Sequence, residues 1–315
     1  MARVLVTGGG GFLGSAITEA LAARGDGVIA FDLAIGPRLR QLAEAHAGVT
    51  PVVGELTEWP HLAGALAEHR PDRIVHCAAI VGVPASVGAP LATMRVNVEG
   101  SLNLFEAMRL AGIRRVVHIS SEEVYGPFTA PLIDEEHPCR PLMAYGISKL
   151  AVEQLGRSYR QLYGLECINV RTSWVYGPGL PRPRVPKTLI DAALEGRPLH
   201  LPAGGDFRVD HVYVADTVQG VLLALDHAEH AHDVYNIATG QAPSLAEIVG
   251  IIRDLVPGAD ISIGPGEYQF NERVGPVPKG ALDVARARVH LGYAPRYDSR
   301  AGLAAYVEAR QRDEP

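Results

Sequence analysis

The sequence of 315 residues has few cysteines, no long apolar run and no excess of positive charge. Cys77, Cys139 and Cys167 are too few and too scattered for a disulfide framework or a zinc site. No apolar stretch approaches the roughly 20 residues that a membrane-spanning helix needs. The formal net charge of −6 argues against a general affinity for nucleic acid. These absences predict a cytoplasmic protein that binds neither nucleic acid nor membrane.

The N-terminal half alternates short β-branched runs with helical patterns. The strand candidates are nearly continuous in apolar character, as expected for a parallel sheet that is covered on both faces. A strand–helix series of this kind predicts an α/β fold with a doubly wound parallel sheet of the Rossmann type. The strand candidates cover 3–6, 27–32, 49–53, 73–78, 115–120 and 166–171, and the clearest helical patterns cover 12–24, 60–69, 90–111 and 144–162.

Beyond Arg171 the pattern changes. Segment 177–186, GPGLPRPRVP, is too rich in proline and glycine to hold regular structure for long. Residues 1–171 are therefore predicted to form the sheet domain. Residues 172–315 are predicted to form mainly a smaller mixed α/β lobe for the substrate, with segments near 209–237 returning to the sheet domain. Later helical patterns cover 187–195, 215–227, 244–254 and 300–312, and short strand candidates cover 211–214 and 234–237.

The first strand candidate runs into a glycine-rich loop, TGGGGFLG, in which Gly8, Gly11 and Gly14 precede a helical pattern. Unpaired N–H groups at a helix N-terminus bind phosphate, and only glycines let a pyrophosphate approach that closely. Asp32 closes the next strand, where it can accept hydrogen bonds from a ribose 2′-hydroxyl and would repel a 2′-phosphate. The loop predicts a dinucleotide site that prefers NAD, while nearby Arg38 and Arg40 keep NADP as an alternative.

Tyr145 and Lys149 in AYGISK are four residues apart on a predicted helix, so they share one face. A phenol has a pKa of ~10 and is a poor base at neutral pH. A fixed ammonium beside it, together with an oxidised nicotinamide, would favour the phenolate. The pair is therefore a candidate acid/base centre.

The segment ISSEEVYG at 119–126 places two adjacent carboxylates at the end of a strand candidate. Neighbouring carboxylates repel each other, so a strand end seldom carries them without a reason. If the chain is still extended here, Ser121 and Glu123 share a face while Glu122 points away. The alternative is that both glutamates are solvated or cap the next element.

On these motifs the chain resembles the extended short-chain dehydrogenase/reductase family, the NAD-dependent sugar epimerases and dehydratases. TGGGGFLG is similar to the family's cofactor loop, SSEEVYG to its catalytic serine segment and YGISK to its tyrosine–lysine motif. Further similarity lies in HCAA at 76–79, NVEGSLNLFEA at 97–107, RVDHVYVAD at 208–216 and YNIATG at 235–240. The motifs follow the family order over nearly the full chain.

The resemblance implies a role for each matching residue. Tyr145 is expected to exchange the proton of a sugar hydroxyl, and Lys149 to hold the nicotinamide ribose and lower the pKa of the tyrosine. Ser121 is expected to hydrogen-bond the same hydroxyl, in preference to Ser120. The implied cofactor contacts are Gly8, Gly11, Phe12, Leu13, Gly14, Asp32, Glu55, Leu56, Ala78, Ala79, Asn97, Tyr145 and Lys149.

The two glutamates favour one branch of the family's chemistry. In its nucleotide-sugar 4,6-dehydratases and uronate decarboxylases the second position after the catalytic serine resembles Glu123. In its 4-epimerases and simple dehydrogenases both positions are typically small or hydroxylated. Oxidation at C4 of a sugar acidifies the C5–H, which a carboxylate can remove while a second acid protonates the departing 6-hydroxyl. Glu123 is therefore the predicted base, and Glu122 a candidate acid.

The resemblance also implies substrate contacts. Arg208 and Arg273 occupy positions similar to the diphosphate-binding arginines of nucleotide-sugar members, and a planar guanidinium suits phosphate oxygens. The family pattern R-x-x-N-x-Y-G reads RTSWVYG here, with Trp174 in place of asparagine, which leaves a smaller, non-nucleotide substrate open. The implied substrate contacts are Ser86, Ser121, Trp174, Arg182, Arg184, Arg208 and Arg273.

No metal site is predicted. His227, His230 and His232 lie close together in DHAEHAH, but no carboxylate or cysteine is placed to complete a ligand set.

The predicted function is an NAD-dependent enzyme that oxidises a sugar hydroxyl, at C4 of a nucleotide sugar, and returns the hydride within one turnover. Chemistry of the 4,6-dehydratase type is slightly preferred over 4-epimerisation. One alternative is a dehydrogenase of a non-nucleotide sugar or sugar acid that releases NADH. Another is a non-catalytic NAD-binding regulator, which has no need of a complete Ser121, Tyr145 and Lys149 set. A homodimer is the family-level expectation, with Val152, Leu155 and Tyr159 either in its apolar seam or in the core.

Overall fold

The computed structural model of the protein describes residues 2–269 and 273–312. Its main feature is a sheet of seven parallel strands. Within the described range the strands are β1 Arg3–Thr7, β2 Gly27–Asp32, β3 Val49–Val53, β4 Arg73–His76, β5 Arg115–Ser121, β6 Leu132–Ile133, β7 Glu166–Thr172, β8 Trp174–Tyr176, β9 Leu199–Leu201, β10 His211–Tyr213, β11 Val234–Ile237, β12 Ile261–Ile263 and β13 Ala281–Leu282. The sheet order is β11-β7-β5-β4-β1-β2-β3, so strand succession reverses between β1 and β4.

Side chains of the central strands alternate between two apolar cores. In β1, Val4 and Val6 join one core and Leu5 joins the other. This alternation follows from the two-residue period of a strand, and both faces are covered by helices. The sequence therefore shows continuous apolar runs at these strands, and the predicted doubly wound parallel sheet is confirmed.

Helices α1 and α9 pack on one face of the sheet, while α3, α6 and α7 pack on the other. The helices in chain order are α1 Phe12–Ala23, α2 Pro37–Ala45, α3 Trp59–His69, α4 Val83–Gly88, α5 Pro90–Met94, α6 Gly100–Ala111, α7 Ala144–Tyr163, α8 Lys187–Leu194, α9 Val214–Asp226, α10 Leu245–Leu255, α11 Ala285–Leu291 and α12 Ser299–Gln311. No helix among the described residues is long and apolar enough to cross a membrane.

The C-terminal part contributes both to the sheet and to a smaller lobe. Strand β11 becomes the outermost strand of the central sheet beside β7. Three short parallel pairs, β8 with β10, β9 with β12 and β6 with β13, belong to the region beyond the ends of that sheet. Helices α8, α10 and α12 pack on one another beside these pairs.

Two predicted elements differ from the structure by more than one residue at an end. The strand predicted over 73–78 ends at His76, although the N–H of Cys77 still donates to the carbonyl of Thr7 at 3.1 Å. The helix predicted over 90–111 is interrupted by a π-helical turn at Arg95–Glu99, between α5 and α6. Such π-helical turns widen a helix locally and often mark functional sites.

Candidate active site

A cavity of about 610 Å³ lies at the carboxyl ends of the sheet strands, around the point where strand order reverses. This is the position at which open parallel α/β sheets bind ligands. Its walls come from the loops after β1, β2, β4, β5 and β7, from the first turns of α7, and from residues 180–184 of the proline-rich segment.

The glycine loop forms one end of the cavity. Gly8 has a φ of +66°, a left-handed conformation that glycine adopts without strain. A Cβ at Gly14 would overlap the carbonyl oxygen of Gly8, and one at Gly8 would lie 2.9 Å from the backbone of Ala78. Within the described chain, the first turn of α1 has neither a capping side chain nor an acidic residue. Its N–H groups and positive dipole end therefore fit a pyrophosphate.

Asp32 closes β2 beside this loop and lines the cavity. Its carboxylate accepts hydrogen bonds from the N–H of Gly10 at 2.9 Å and of Leu33 at 2.8 Å. These bonds fix a negative charge where a ribose hydroxyl would lie, which suits NAD and disfavours a 2′-phosphate. Arg38 instead pairs with Glu19 at 2.7 Å.

Most of the predicted cofactor residues line the cavity, and two do not. The lining set includes Gly8, Gly11, Phe12, Leu13, Gly14, Asp32, Leu56, Ala78, Ala79, Tyr145 and Lys149. Glu55 is exposed outside the cavity, where its Oε1 accepts from Thr57. Asn97 is buried in the π-helical turn, and its amide bonds both backbone groups of Ile80 and the hydroxyl of Ser148. Asn97 therefore supports the cavity wall from behind.

Tyr145 and Lys149 lie on the first turns of α7 and are both buried at the cavity. Lys149 Nζ lies 6.0 Å from the centre of the Tyr145 ring and donates to the carbonyl of Ile119 at 2.7 Å. Burial raises the pKa of Tyr145 to about 12, against the Ser121 hydroxyl and the charges of Arg182 and Arg184, which lower it. Arg182 and Arg184 are thus two cations that favour the phenolate, and the lowering of this pKa by Lys149 stays a prediction.

Burial lowers the pKa of Lys149 to about 8, against the opposing influence of Cys77 and Glu153. Two acceptors hold the ammonium: the Ile119 carbonyl and the imidazole of His118, whose Nε2 is 3.5 Å from Nζ.

The turn after β5 brings both glutamates to the cavity. The strand ends at Ser121, and residues Glu122–Val124 form a 3-10 turn in which Ser121 Oγ accepts from the N–H of Glu123 at 3.2 Å. The strand alternation that would turn Glu122 away is therefore wrong, because the extended backbone ends at Ser121, before either glutamate. Ser120, Ser121, Glu122 and Glu123 all line the cavity, but the Ser120 hydroxyl donates to Glu153 at 2.6 Å.

The two carboxylates have different surroundings. Glu122 is 1% exposed, and its Oε2 accepts from the hydroxyl of Ser173 at 2.9 Å. The side chain of Glu123 keeps 16% of its surface exposed, and its Oε1 lies 3.2 Å from Nζ of Lys279. Burial raises the pKa of Glu122 to about 7, with Lys279 acting to lower it and Glu123 to raise it. Neither carboxylate is a solvated surface group.

Lys279 is the residue that sequence reasoning missed. It is fully buried behind the carboxylates, and the chain between α10 and α11 delivers it to the site. The chain contains only three lysines, which is the one signal in the sequence that pointed to a special position. Ser173 and Tyr268 also contribute to the cavity wall without having been predicted.

Two of the predicted substrate arginines are at the cavity. The guanidinium of Arg184 stacks 3.6 Å from the centre of the Trp174 ring, and Arg182 Nη1 donates to the carbonyl of Val81 at 2.6 Å. Burial and the charge of Arg182 lower the pKa of Arg184 to about 10. These contacts hold two cations beside Tyr145 and the glutamates.

Three predicted substrate residues are not among the cavity-lining residues. Ser86 is buried in α4, where its hydroxyl donates to the carbonyl of Val83 at 2.9 Å. Arg208 is exposed and pairs with Glu247 at 3.1 Å, while Nη1 also donates to the carbonyl of Ala242. Arg273 is exposed outside the cavity wall.

Two further predictions concern residues outside the cavity: the apolar residues of α7 and a metal site. Val152 and Tyr159 are buried in the core between α6 and α7, with Leu155 packed against them, so these residues belong to the core and do not form a surface seam. Among the described residues no group of three or more His, Cys, Asp or Glu side chains can hold a metal ion.

Comparison with known proteins identifies relatives along the whole chain. The family model described as NAD dependent epimerase/dehydratase matches residues 4–238. The chain is 36% identical over 313 residues to a UDP-glucose 4-epimerase of Mycolicibacterium smegmatis, with 97% of each chain covered. It is 32% identical over 321 residues to a dTDP-glucose 4,6-dehydratase of an Actinoplanes species, with 97% of this chain and 96% of the relative covered.

Comparison with solved structures finds the same kinds of protein. The UDP-glucose 4-epimerase of Thermus thermophilus, solved in complex with NAD, superposes with a TM-score of 0.85 at 31% identity. The alignment covers 98% of this chain and 99% of that one. The relatives include both 4-epimerases and 4,6-dehydratases, so only the residues of the site can distinguish these two reactions.

Proposed function

This chain belongs to the NAD-dependent epimerase/dehydratase family, and we propose that it oxidises a hydroxyl of a nucleotide sugar at C4 and then eliminates water across C5 and C6. The observation that carries this proposal is the pair of glutamates, Glu122 and Glu123, in the cavity wall beside Tyr145. A plain 4-epimerisation needs no carboxylate pair at this position, whereas elimination needs a base and an acid together.

NAD, which the glycine loop and Asp32 would hold, would supply the hydride acceptor for C4 and, after the elimination, the hydride donor for C6. Tyr145 takes the proton of the sugar hydroxyl, and the Ser121 hydroxyl holds the same oxygen. Tyr145 can take that proton only as the phenolate, and because burial raises its pKa, the phenolate forms only when cations stabilise it. Arg182 and Arg184 supply such charge from the protein, so the two arginines have a part in the oxidation step.

The elimination step divides between the two glutamates. Glu123, paired with Lys279 and open to the cavity, removes the proton from C5. Glu122, whose pKa of about 7 leaves it protonated in a large fraction of molecules at neutral pH, donates a proton to the 6-hydroxyl. The C6–O bond breaks and water leaves. When hydride is then added at C6, Glu123 returns its proton to C5. Two carboxyl groups with different environments suit opposite roles in proton transfer.

The test is to incubate the protein and NAD with UDP-glucose, dTDP-glucose, uronates and free sugars, and to follow product mass and NADH absorbance. We expect the product of a nucleotide sugar to lose one water without NADH accumulating. Glu123→Gln is expected to slow that loss by about 100-fold or more while NAD affinity stays within twofold. Glu44→Gln, at an exposed position on α2, is the matched control and should keep wild-type activity.

Other products would identify other reactions. Unchanged mass with an altered sugar configuration means 4-epimerisation and removes the elimination step. NADH that accumulates means a net dehydrogenase. If Tyr145→Phe turns over every accepted sugar as fast as the wild type, the proton-transfer role of the tyrosine is wrong.

A second candidate function is the dehydrogenation of a smaller sugar or sugar acid. It is favoured by one observation: Arg208, expected at a diphosphate, pairs with Glu247 at the surface. Arg182 and Arg184 remain at the cavity and would suit a carboxylate there. The same panel separates the two, since only this candidate predicts stoichiometric NADH from a free uronate or sugar.

We also propose a homodimer through α6 and α7. These helices expose Leu110, Ile147, Leu162 and Tyr163, each more than two-fifths exposed. Exposed apolar residues on two neighbouring helices are typical of a surface that contacts another protein chain. Light scattering should give twice the chain mass, and Leu162→Glu should shift it toward the monomer; a wild-type monomer would contradict the proposal.

A further inference from the structure

Lys279 is a buried ammonium directly behind the two glutamates. Its Nζ lies 3.2 Å from Oε1 of Glu123 and 3.7 Å from Oε1 of Glu122, and its side chain has no exposed surface. It is not among the residues that line the cavity, so the carboxylates stand between it and the cavity. A buried ammonium is unfavourable unless it is paired, and here both of its ionic partners are the proposed base and acid.

The backbone around Lys279 is held on both sides. The N–H of Phe128 donates to the carbonyl of Pro278 at 2.9 Å, and the N–H of Asp210 donates to the carbonyl of Gly280 at 3.2 Å. A Cβ at Gly280 would overlap the carbonyl oxygen of Pro131, so the chain passes there in close contact. These contacts direct the lysine side chain at the carboxylates and at the Phe128 ring, whose centre is 5.3 Å from Nζ.

Three charged side chains act on the Lys279 ammonium. Glu122 and Glu123 face Lys279, Arg184 acts as a second cation from the proline-rich segment, and Ser173 donates to Glu122 from the end of β7. Burial acts to lower the pKa of Lys279, but Glu123 and Glu122 outweigh it, so the pKa is raised and the lysine keeps its proton. One permanent ammonium thus lies beside two carboxylates, nearer to Glu123 than to Glu122.

We propose that Lys279 is a positioning residue that decides which of the two glutamates carries the proton. By pairing more closely with Glu123, it keeps Glu123 as the carboxylate that accepts a proton and leaves the more deeply buried Glu122 as the carboxyl that donates one. This inference rests on the proposed elimination, in which those two roles have to be separate. Lys279 acts through the glutamates and does not touch the sugar.

The experiment measures the ionisation of the pair directly, by carbon NMR titration of protein labelled at the glutamate carboxyl carbons. The Glu122 signal is identified by its loss in Glu122→Gln. In the wild type we expect it to titrate near neutral pH. In Lys279→Met, which keeps an unbranched side chain one atom shorter and removes its charge, the titration midpoints of the pair should rise by about 1 to 3 pH units. The acidic limb of the pH–rate profile should move upward with them.

Matched variants separate charge from packing. Lys187→Met removes a lysine that pairs with Asp191 on α8, away from the cavity wall, and should leave the titration of the pair unchanged. Glu123→Gln keeps Lys279 and the shape of the pair but frees the ammonium for Glu122, so the Glu122 midpoint should fall by at least 1 unit. Lys279→Gln, whose neutral side chain is polar, should raise the Glu122 midpoint as Lys279→Met does, and it decides the question if Lys279→Met does not fold.

The outcomes separate this inference from the proposed function. Titration curves that overlay in the wild type, Lys279→Met and Glu123→Gln overturn the role of Lys279, whether or not water is lost from a nucleotide sugar. Midpoints that move as expected while no sugar loses water support the role of Lys279 in ionisation and overturn the elimination.

Discussion

His118 Nε2 lies 3.5 Å from Nζ of Lys149, behind the proposed catalytic lysine. His118 Nδ1 lies 2.9 Å from Oδ1 of Asn169, and the amide nitrogen of Asn169 donates to the carbonyl of Asp233. With the amide so oriented, Nδ1 carries the hydrogen and Nε2 is the acceptor. Burial and the charge of Lys149 lower the pKa of His118 well below its usual value, so the imidazole is neutral and accepts from the ammonium.

His118→Phe therefore removes an acceptor that favours the charged lysine. The pKa of Lys149, already lowered to about 8 by burial, should fall further. The basic limb of the pH–rate profile should therefore move to lower pH. A lost hydrogen bond of about 1 kcal/mol corresponds to roughly a fivefold fall in kcat/KM. A pH–rate profile measures both effects, with His200→Phe at the exposed β9 as control. A basic limb that stays in place would contradict the role of His118.

At Gly146, helix α7 packs closely against the turn formed by Glu122–Val124. A Cβ at this position would overlap the carbonyl oxygen of Glu123. Gly146→Ala should displace Glu123 relative to Tyr145, and a displacement of about 1 Å can cost about 100-fold in kcat. Gly64→Ala on α3, where a Cβ meets open space, is the control. Steady-state kinetics and circular dichroism check this, and a folded Gly146→Ala with wild-type kcat would contradict it.

The buried Glu122 predicts a pH-dependent stability. Because its folded pKa of about 7 lies above the ordinary value near 4.5, the folded state keeps its proton longer than the unfolded state. Its contribution is fully present below about pH 4.5 and is lost as the pH rises to about 7. Glu122→Gln should be as stable as the wild type at pH 4.5 and more stable at pH 8, by at most about 3 kcal/mol.

Denaturant unfolding at both pH values measures this difference. Titrating groups that do not contact the pair, including Asp210, act equally in both proteins and cancel. A difference that does not grow between pH 4.5 and pH 8 would show that Glu122 is not protonated in the folded state.

Asp32 predicts the choice of dinucleotide. Asp32→Asn keeps an oxygen for the N–H of Gly10 but removes the negative charge. We expect NAD affinity to fall by about tenfold and the preference for NAD over NADP to narrow, since a hydrogen bond to a charged group contributes ~1.5–3 kcal/mol. Titration calorimetry with both dinucleotides measures the ratio, and Asp254→Asn at the surface is the control. An unchanged ratio would mean that Asp32 does not discriminate.

Local patterns predicted most of the elements. Strand β2 spans the predicted 27–32, and α7 differs from the predicted 144–162 by one residue. Both have strong periodicity, and the tight packing of both faces leaves little choice of register. The π-helical turn at Arg95–Glu99 was not predicted, because a single inserted residue in a helix leaves no distinct sequence pattern.

The residues of the site also fall into two groups: those that local sequence could locate and those that it could not. The glycine loop, Asp32, Tyr145 and Lys149 are placed by one strand–helix turn or one helix face, and so the sequence located them. Arg208 shows the limit of that reasoning: a position in a motif does not say which way a side chain points. This one pairs with Glu247 and does not line the cavity, so its contact with a diphosphate stays a prediction.

From its amino-acid pattern alone the chain is committed to a parallel sheet with a dinucleotide loop and a tyrosine–lysine helix, because these depend on contacts between residues close in sequence. Tertiary structure alone decided the electrostatics of the glutamate pair. Lys279 is more than 150 residues from Glu122 and Glu123 along the chain, and only folding brings its ammonium within ion-pairing distance. Burial then alters the proton affinity of these groups, and burial is a property of the packed molecule.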